Sequence, residues 1–245
     1  MLQHSASANT IFLLGCQRSG TTLLKMIFGS HPEVRILDHD TPHKAAYRRA
    51  DLDEFATDVL HLSADSVCCV KGPQLVWYHE WIKDRFPDSR IIWMFRNPVD
   101  VVSSMLKLEV FEKPWLWHYN NLEGHHTEIA GTGATKCANI WLKKNQLEAN
   151  HPNAVLVHYT DLCSNPEPTL SSLCRQIGIS FDPIMLRHNE VKTTELPIGG
   201  YDHSRPIDPN LKLIDPELVK TVEPITGELY REMLGRCSTT SHTTH

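Results

Sequence analysis

The chain has 245 residues, of which 41% are hydrophobic, and a formal net charge of −5. This length suits one α/β domain with a large buried core, and the acidic balance argues against a nucleic-acid-binding surface. We expect a single domain over residues 1–245, with flexible segments at 1–9 and 237–245.

The seven cysteines follow no disulfide framework, which indicates reduced thiols and a cytoplasmic location. No apolar run reaches about 18 residues, so we expect no membrane span. The fifteen histidines form no pattern such as H-E-x-x-H. We therefore expect most histidines at the surface and no metal. The sequence leaves the oligomeric state open.

The first organising segment is residues 11–30, IFLLGCQRSGTTLLKMIFGS. Four apolar residues before Gly15 predict a buried strand, and a helical pattern begins at Thr21. A glycine-bounded loop between a strand and a helix directs backbone N–H groups and the positive helix end at an anion. The candidate ligands in this phosphate cradle are Gln17, Arg18, Ser19, Gly20, Thr21 and Thr22.

The spacing of this loop is close to the nucleotide-triphosphate pattern G-x-x-x-x-G-K-[ST], but Thr21 replaces the lysine. A kinase or ATPase uses that lysine on the β- and γ-phosphates, so its absence disfavours phosphoryl transfer. Residues 15–24, GCQRSGTTLL, resemble instead the 5′-phosphosulfate loop of sulfotransferases that use 3′-phosphoadenosine 5′-phosphosulfate (PAPS). The resemblance implies a P-loop-like fold and transfer of a sulfuryl group with release of PAP.

The segment after the first helix carries the candidate base. Residues 31–35, HPEVR, resemble the corresponding segment of tyrosylprotein sulfotransferases, and an ungapped match puts His39 at the position of that family's catalytic glutamate. Asp38 and Asp40 flank it at the carboxyl end of a short predicted strand, where doubly wound sheets bind ligands. A histidine with an ordinary pKa near ~6.5 can accept a proton at neutral pH. We expect the base among these three residues, and the alternative is that they are polar residues opening a loop. Residues 41–62 beyond them predict a solvated helix.

A buried strand over residues 66–71 ends in Lys71. The resemblance implies that Lys71 contacts the bridging oxygen of the phosphosulfate, where an ammonium stabilises the charge that develops as the bond to sulfur breaks. In the cytosolic branch of the family a catalytic histidine follows this lysine by two residues. Pro73 occupies that position here, which favours a base at residues 38–40.

Residues 91–104, IIWMFRNPVDVVSS, form the second organising segment. Five apolar residues predict a central strand, and Asn97-Pro98 predicts the start of a helix. Arg96, with Ser104 eight residues later, resembles the 3′-phosphate site of the family. An arginine can give a phosphate two N–H groups and the serine a third donor.

Four further segments complete the interpretation. Aromatic residues at 107–123 predict either core or a wall of the acceptor pocket. Residues 154–162 resemble a family strand that places Tyr159 near the nucleotide. In the turn-rich segment 196–220, Lys212 is the candidate for a loop over the nucleotide, and residues 223–234 predict the last helix.

Together these observations predict a doubly wound sheet of about five parallel strands with helices on both faces. The predicted activity is transfer from PAPS to a hydroxyl or amine, and the short chain and aromatic segment favour a small-molecule acceptor. No metal is required, because lysine and arginine neutralise the phosphates. The alternatives are a nucleotide-dependent phosphoryl transferase and a non-catalytic PAPS- or PAP-binding protein.

Overall fold

The computed structural model describes residues 7–37, 52–108, 129–191, 207 and 215–240. The strands in these residues are β1 (Thr10–Gly15), β2 (Val34–Ile36), β3 (Val67–Lys71), β4 (Arg90–Phe95) and β5 (Val155–His158). They form one parallel sheet with the order β2-β3-β1-β4-β5. This confirms the predicted sheet of about five parallel strands.

Helices connect the strands and cover the sheet. The α-helices are α1 (Thr21–Gly29), α2 (Leu52–Ser63), α3 (His79–Arg85), α4 (Pro98–Lys107), α5 (Gly133–Gln146), α6 (Tyr159–Ser164), α7 (Pro166–Ile177) and α8 (Pro216–Thr240). Shorter 3₁₀ helices span Leu75–Tyr78, Leu147–Asn150 and Pro183–Glu190. In the described part of the chain, no helix is long and apolar enough to cross a membrane.

Alternate side chains of β1 enter two separate cores, because successive residues of a strand point to opposite faces. Phe12 and Leu14 belong to the core under α2, α3, α4, α5 and α8. Ile11 and Leu13 belong to the core under α1 and α7. Helices therefore lie on both faces of the sheet, as predicted.

The strand order brings the two organising segments to one edge of the sheet. β1 lies between β3 and β4, with Leu13 paired to Lys71 and Gly15 paired to Met94. The carboxyl ends of these three parallel strands therefore meet, and the loops that follow them lie side by side. Ligands of doubly wound sheets bind at this edge.

The described amino-terminal residues 7–9 are packed against the rest of the fold. Ser7 is buried, and its Oγ accepts a hydrogen bond from the backbone N of Asp88 at 3.3 Å. Asn9 donates from Nδ2 to the Ser63 carbonyl at 3.2 Å, and its own carbonyl accepts from the N of Cys68 at 2.9 Å. These contacts hold the segment against β3 and α2.

The last helix is longer than predicted. α8 begins at Pro216 and ends at Thr240, although Pro224 lies inside it and the sequence predicts flexibility from residue 237 onward. Proline removes one helical hydrogen bond, but Val222 and Met233 are fully buried in the core shared with α4 and α5. Burial of this face outweighs the local cost at Pro224.

The expectation of a solvated helix over residues 41–62 is wrong for the described part. Helix α2 is amphipathic rather than solvated on all sides, and it buries Phe55, Ala56 and Val59. Among the histidines that the structure describes, four are less than a tenth exposed: His31, His151, His158 and His188. His31 shows why, since its Nε2 lies 2.8 Å from the carbonyl of Ser180. The ring supplies a polar partner to backbone that would otherwise be buried without one.

Candidate active site

Two glycines close the phosphate cradle. Gly15 has φ 140°, and a Cβ there would lie 2.3 Å from the carbonyl oxygen of Met94. Gly20 has φ 97°, and a Cβ there would lie 2.4 Å from Cδ2 of Tyr159. The loop between them turns back through a hydrogen bond from Ser19 N to the Cys16 carbonyl at 3.2 Å. Only glycine combines these backbone angles with such close neighbours.

The start of α1 offers donors to an anion. Gly20 is the N-cap residue, and no side chain caps the helix, so the first N–H groups are open to a ligand. Ser19 is fully buried, and its Oγ has no hydrogen-bond partner within the described part of the chain. Thr21 is also buried, whereas Thr22 is partly exposed. These residues form the cradle that the sequence predicts.

Arg18 adopts the left-handed conformation with φ 71°, alone among the described non-glycine residues. That conformation costs about 1–2 kcal/mol for a residue with a side chain, and such strain concentrates at ligand sites. It directs the guanidinium toward α4, where Nε donates to Oγ of Ser104 at 2.9 Å. The cradle is thereby connected to the second organising segment.

Arg96 lies at the carboxyl end of β4 beside the cradle. Its Cζ is 4.3 Å from the centroid of the Tyr159 ring, and its Nη2 is 3.5 Å from Oδ2 of Asp100. Its Nε is buried and has no hydrogen-bond partner in residues 7–37, 52–108, 129–191, 207 and 215–240. The side chain of Asn97 accepts a hydrogen bond from Val99 N at 2.9 Å, confirming the predicted helix cap. The cap fixes where α4 begins and so where Ser104 lies.

The cluster of Arg18, Arg96, Ser104 and Tyr159 is electropositive. Burial lowers the pKa of the Arg18 guanidinium, and the nearby charge of Arg96 lowers it further. Arginine stays protonated under such shifts, so two like charges face each other across the cluster. Burial also raises the pKa of Tyr159 to about 12, which keeps its hydroxyl protonated. A bound anion would relieve the repulsion between the guanidinium groups.

Lys71 is the last residue of β3 and is 9% exposed. Its register opposite Leu13 places it at the same edge of the sheet as the cradle. The structure therefore brings together the predicted residues 17–22, Lys71, Arg96, Ser104 and Tyr159. The predicted Asp38, His39, Asp40 and Lys212 lie outside the described residues, as does most of the aromatic segment 107–123.

The sequence interpretation missed Lys144 on α5. This lysine is fully buried, and its Nζ donates to Oε1 of Gln17 and to the carbonyl of Pro73, each at 2.8 Å. Burial lowers the pKa of Lys144 to about 7. A signal was present, because Lys144 follows Ile140 and Trp141 at helical spacing and so falls on the apolar face of α5.

A model of the sulfotransferase family matches residues 10–60 and 35–183. The matched residues exceed half of the 245-residue chain and include the cradle, Lys71, Arg96, Ser104 and Tyr159. The chain belongs to the sulfotransferase family. Membership confirms the predicted enzyme class, transfer of sulfuryl groups.

Curated relatives cover nearly the whole chain at low identity. Protein-tyrosine sulfotransferase 2 of Gallus gallus is 24% identical over 268 residues, covering 94% of this chain and 68% of the relative. Protein-tyrosine sulfotransferase 1 of Danio rerio is 24% identical over 252 residues, covering 91% of this chain and 68% of the relative. This agrees with the resemblance of residues 31–35 to tyrosylprotein sulfotransferases.

Solved sulfotransferase structures share the fold. The sulfotransferase domain from the curacin biosynthetic pathway superposes with a TM-score of 0.59 at 19% identity, covering 93% of this chain and 96% of that domain. Mouse sulfotransferase SULT7A1, solved with PAP, has a TM-score of 0.55 at 15% identity, covering 99% of this chain and 94% of that one. These similarities confirm the predicted fold class.

Proposed function

We propose that PAPS is the sulfuryl donor of this sulfotransferase. The observation that carries the proposal is the hydrogen bond between Arg18 and Ser104, which joins the glycine-bounded cradle to the cluster around Arg96. PAPS carries anionic groups on both the 5′ and 3′ positions of its ribose, and it therefore needs two anion sites close together. The cradle suits the 5′-phosphosulfate, and Arg96 with Ser104 suits the 3′-phosphate.

The donor groups fit the proposed ligand. Ser19 Oγ and Arg96 Nε are buried and have no hydrogen-bond partner among the residues that the structure describes, and an unpaired buried donor costs about 1–3 kcal/mol. Anionic oxygens of PAPS would satisfy both. Gly20 keeps the cradle free of a side chain that would meet Tyr159. The PAP complex of the mouse structural neighbour supports the same ligand class.

In this proposal PAPS supplies the reactive sulfuryl group, and the chain contributes position and charge. Backbone N–H groups of residues 17–22 hold the phosphosulfate with Arg18, and the hydroxyls of Thr21 and Thr22 bond the 5′-phosphate. Lys71 stabilises negative charge on the leaving oxygen. The acceptor proton goes to one of Asp38, His39 and Asp40, and Lys212 contributes to a loop over the nucleotide.

The acceptor is proposed to be a hydroxyl group, for which two sources compete. The names of the curated relatives favour the phenol of a tyrosine in a protein. The aromatic residues at 107–123 favour a small molecule. Both acceptors leave the roles of Arg18, Lys71 and Arg96 unchanged, because these residues act on the donor.

The test is an assay with radiolabelled PAPS and two kinds of acceptor, a tyrosine-containing peptide and small phenols or alcohols. Transfer that is strongly reduced but still measurable in Lys71→Ala supports the proposal, and the labelled product identifies the acceptor class. Binding of PAP without transfer to any acceptor would favour a non-catalytic nucleotide-binding protein. Transfer of phosphate from ATP would contradict the proposal.

A further inference from the structure

The buried amino group of Lys144 connects two loops of the active-site edge. It donates to the Gln17 side chain in the cradle and to the carbonyl of Pro73, which lies two residues after Lys71. The lysine itself comes from neither loop but from α5, which packs with α4 and α8. A polar amino group with no exposed surface is costly unless it is hydrogen-bonded, so these two contacts stabilise Lys144 between its partners.

The side chain of Gln17 is held on several sides. Its Oε1 accepts from Lys144 and lies 3.5 Å from the thiol Sγ of Cys16, and its Nε2 lies 3.9 Å from Sδ of Met105. The Gln17 side chain therefore contacts the protein interior, while its backbone belongs to the cradle. Through Gln17, Lys144 fixes the first half of the loop.

Nζ of Lys144 also holds the turn after β3, because it donates to the carbonyl of Pro73. Strands β1 and β3 are direct neighbours, but the loops that follow them leave the sheet and have no ladder hydrogen bonds to keep their spacing. The bond from Lys144 to Pro73 supplies a link between them at 2.8 Å. Gly72, which gives this turn local freedom, lies between Lys71 and the bonded carbonyl.

We propose that Lys144 is a positioning residue that holds the phosphate cradle and Lys71 at the separation required for sulfuryl transfer. The inference rests on the proposed function, which assigns Lys71 to the leaving oxygen. We expect the cradle and Arg96 to bind the nucleotide even when Lys71 is displaced. The transition state, in contrast, needs the positive charge of Lys71 beside the leaving oxygen. Loss of Lys144 therefore affects turnover more than nucleotide affinity.

The first variant is Lys144→Met, which keeps an unbranched side chain and removes the two donated bonds. We expect kcat per folded enzyme to fall about 10–100-fold, because small misplacement of a catalytic group has that effect. We expect the Kd for PAP, measured by calorimetry, to change much less than kcat. Lys143→Met, at the preceding and partly exposed position of α5, is the matched control.

A double-mutant cycle separates positioning from general stability. Lys71→Ala is made in the natural sequence and in Lys144→Met, and kcat is compared. If Lys144 acts through Lys71, removing Lys71 costs far less in the Lys144→Met background. Equal costs in the two backgrounds would overturn the inference. If Lys144→Met does not fold, Gln17→Leu replaces it in the same cycle, since it removes the acceptor and leaves the lysine.

Failure of this inference can be distinguished from failure of the proposed function. If the natural sequence binds PAP and transfers sulfuryl groups but Lys144→Met has unchanged kcat, only the role of Lys144 is overturned. If the natural sequence does not bind PAP, the assignment of the site to PAPS fails, and the positioning role fails with it.

Discussion

Nε of Arg18 donates a hydrogen bond to Oγ of Ser104 over 2.9 Å, across 86 residues of chain. Arg18 belongs to the loop after β1, and Ser104 lies on the helix after β4. The contact makes one continuous site from two segments that the sequence shows only as separate motifs. It also requires Arg18 to keep its left-handed backbone conformation.

The first prediction concerns Ser104. Ser104→Ala removes a donor to the proposed 3′-phosphate and the acceptor of Arg18. Hydrogen bonds to charged groups contribute about 1.5–3 kcal/mol, so we expect the affinity for PAP to fall about 10–100-fold. Calorimetry with PAP and with AMP, which lacks the 3′-phosphate, checks this. Ser103→Ala is the control. If Ser104→Ala weakens the binding of PAP and AMP equally, the assignment of Ser104 to the 3′-phosphate is contradicted.

The second prediction concerns Gly20. Gly20→Ala introduces a Cβ that would lie 2.4 Å from Tyr159 and 2.9 Å from Cε of Met94, at a φ of 97°. We expect the free energy of unfolding to fall by about 1–3 kcal/mol from backbone strain, with loss of nucleotide binding as Tyr159 moves.

Gly235→Ala provides the matched control for Gly20→Ala. Gly235 lies in α8 and needs no unusual φ, and a Cβ added there would meet no neighbouring group within 4 Å. Alanine at this position is expected to raise the free energy of unfolding by about 0.5–1 kcal/mol. Chemical denaturation measures both variants, and a stable Gly20→Ala protein that binds PAP normally would contradict the described cradle.

The third prediction concerns the attachment of α8. Arg236 donates to both carboxylate oxygens of the buried Glu148, at 2.6 and 2.7 Å. Arg236→Ala leaves that carboxylate buried without this partner, and we expect a loss of about 3 kcal/mol in unfolding free energy. Arg231→Ala, at an exposed arginine 4.0 Å from Glu223, is expected to change it by less than about 1 kcal/mol. If the two variants lose the same unfolding free energy, the ion pair of Arg236 with Glu148 does not attach α8 to the rest of the fold.

Part of the fold could be predicted because local sequence determines it. The strand before Gly15 and the strand before Arg96 are apolar runs with clear ends, a glycine in one case and Asn97-Pro98 in the other. Parallel pairing of such buried strands follows from the helices between them. The ligand edge follows in turn, because parallel strands end on one side.

Other parts depend on tertiary contacts that no local pattern specifies. The contact of Arg18 with Ser104 requires a positive φ that arginine rarely adopts. Lys144 lies on an apolar helix face, but a lysine is ordinarily exposed, and its acceptors Gln17 and Pro73 come from distant segments. Proline is unfavourable inside a helix, and the burial of Val222 and Met233 offsets that cost where α8 passes through Pro224.

The fourth prediction concerns acidification. Burial lowers the pKa values of His79, His151 and His158, whereas unfolded histidine titrates near ~6.5. Below that pH the unfolded chain takes up protons that the native state does not, so the free energy of unfolding falls as the pH falls from about 7 to 5. At higher pH these rings are neutral in both states and contribute no slope.

His151→Phe tests this pH dependence. The His151 ring lies 5.6 Å from the ring of His79 and 6.2 Å from that of Trp93, so an aromatic replacement keeps the packing. We expect a smaller slope of stability against pH, by at most about 1.4 kcal/mol per pH unit for one proton. His61→Gln, at an exposed histidine of α2, is the control. If the slope of unfolding free energy against pH is unchanged in His151→Phe, then His151 does not contribute to the loss of stability at low pH.

The most direct test of the site is a calorimetric titration of PAP and ATP into the natural sequence and Arg96→Ala. We expect the natural sequence to bind PAP in preference to ATP, because Arg96 and Ser104 fit a 3′-phosphate and Thr21 replaces the lysine that ATP sites use. Arg96→Ala is expected to lose about 2 kcal/mol or more of PAP binding, as a charge-assisted bond would. Equal binding of PAP and ATP, unaffected by Arg96→Ala, would contradict the assignment of this edge to PAPS.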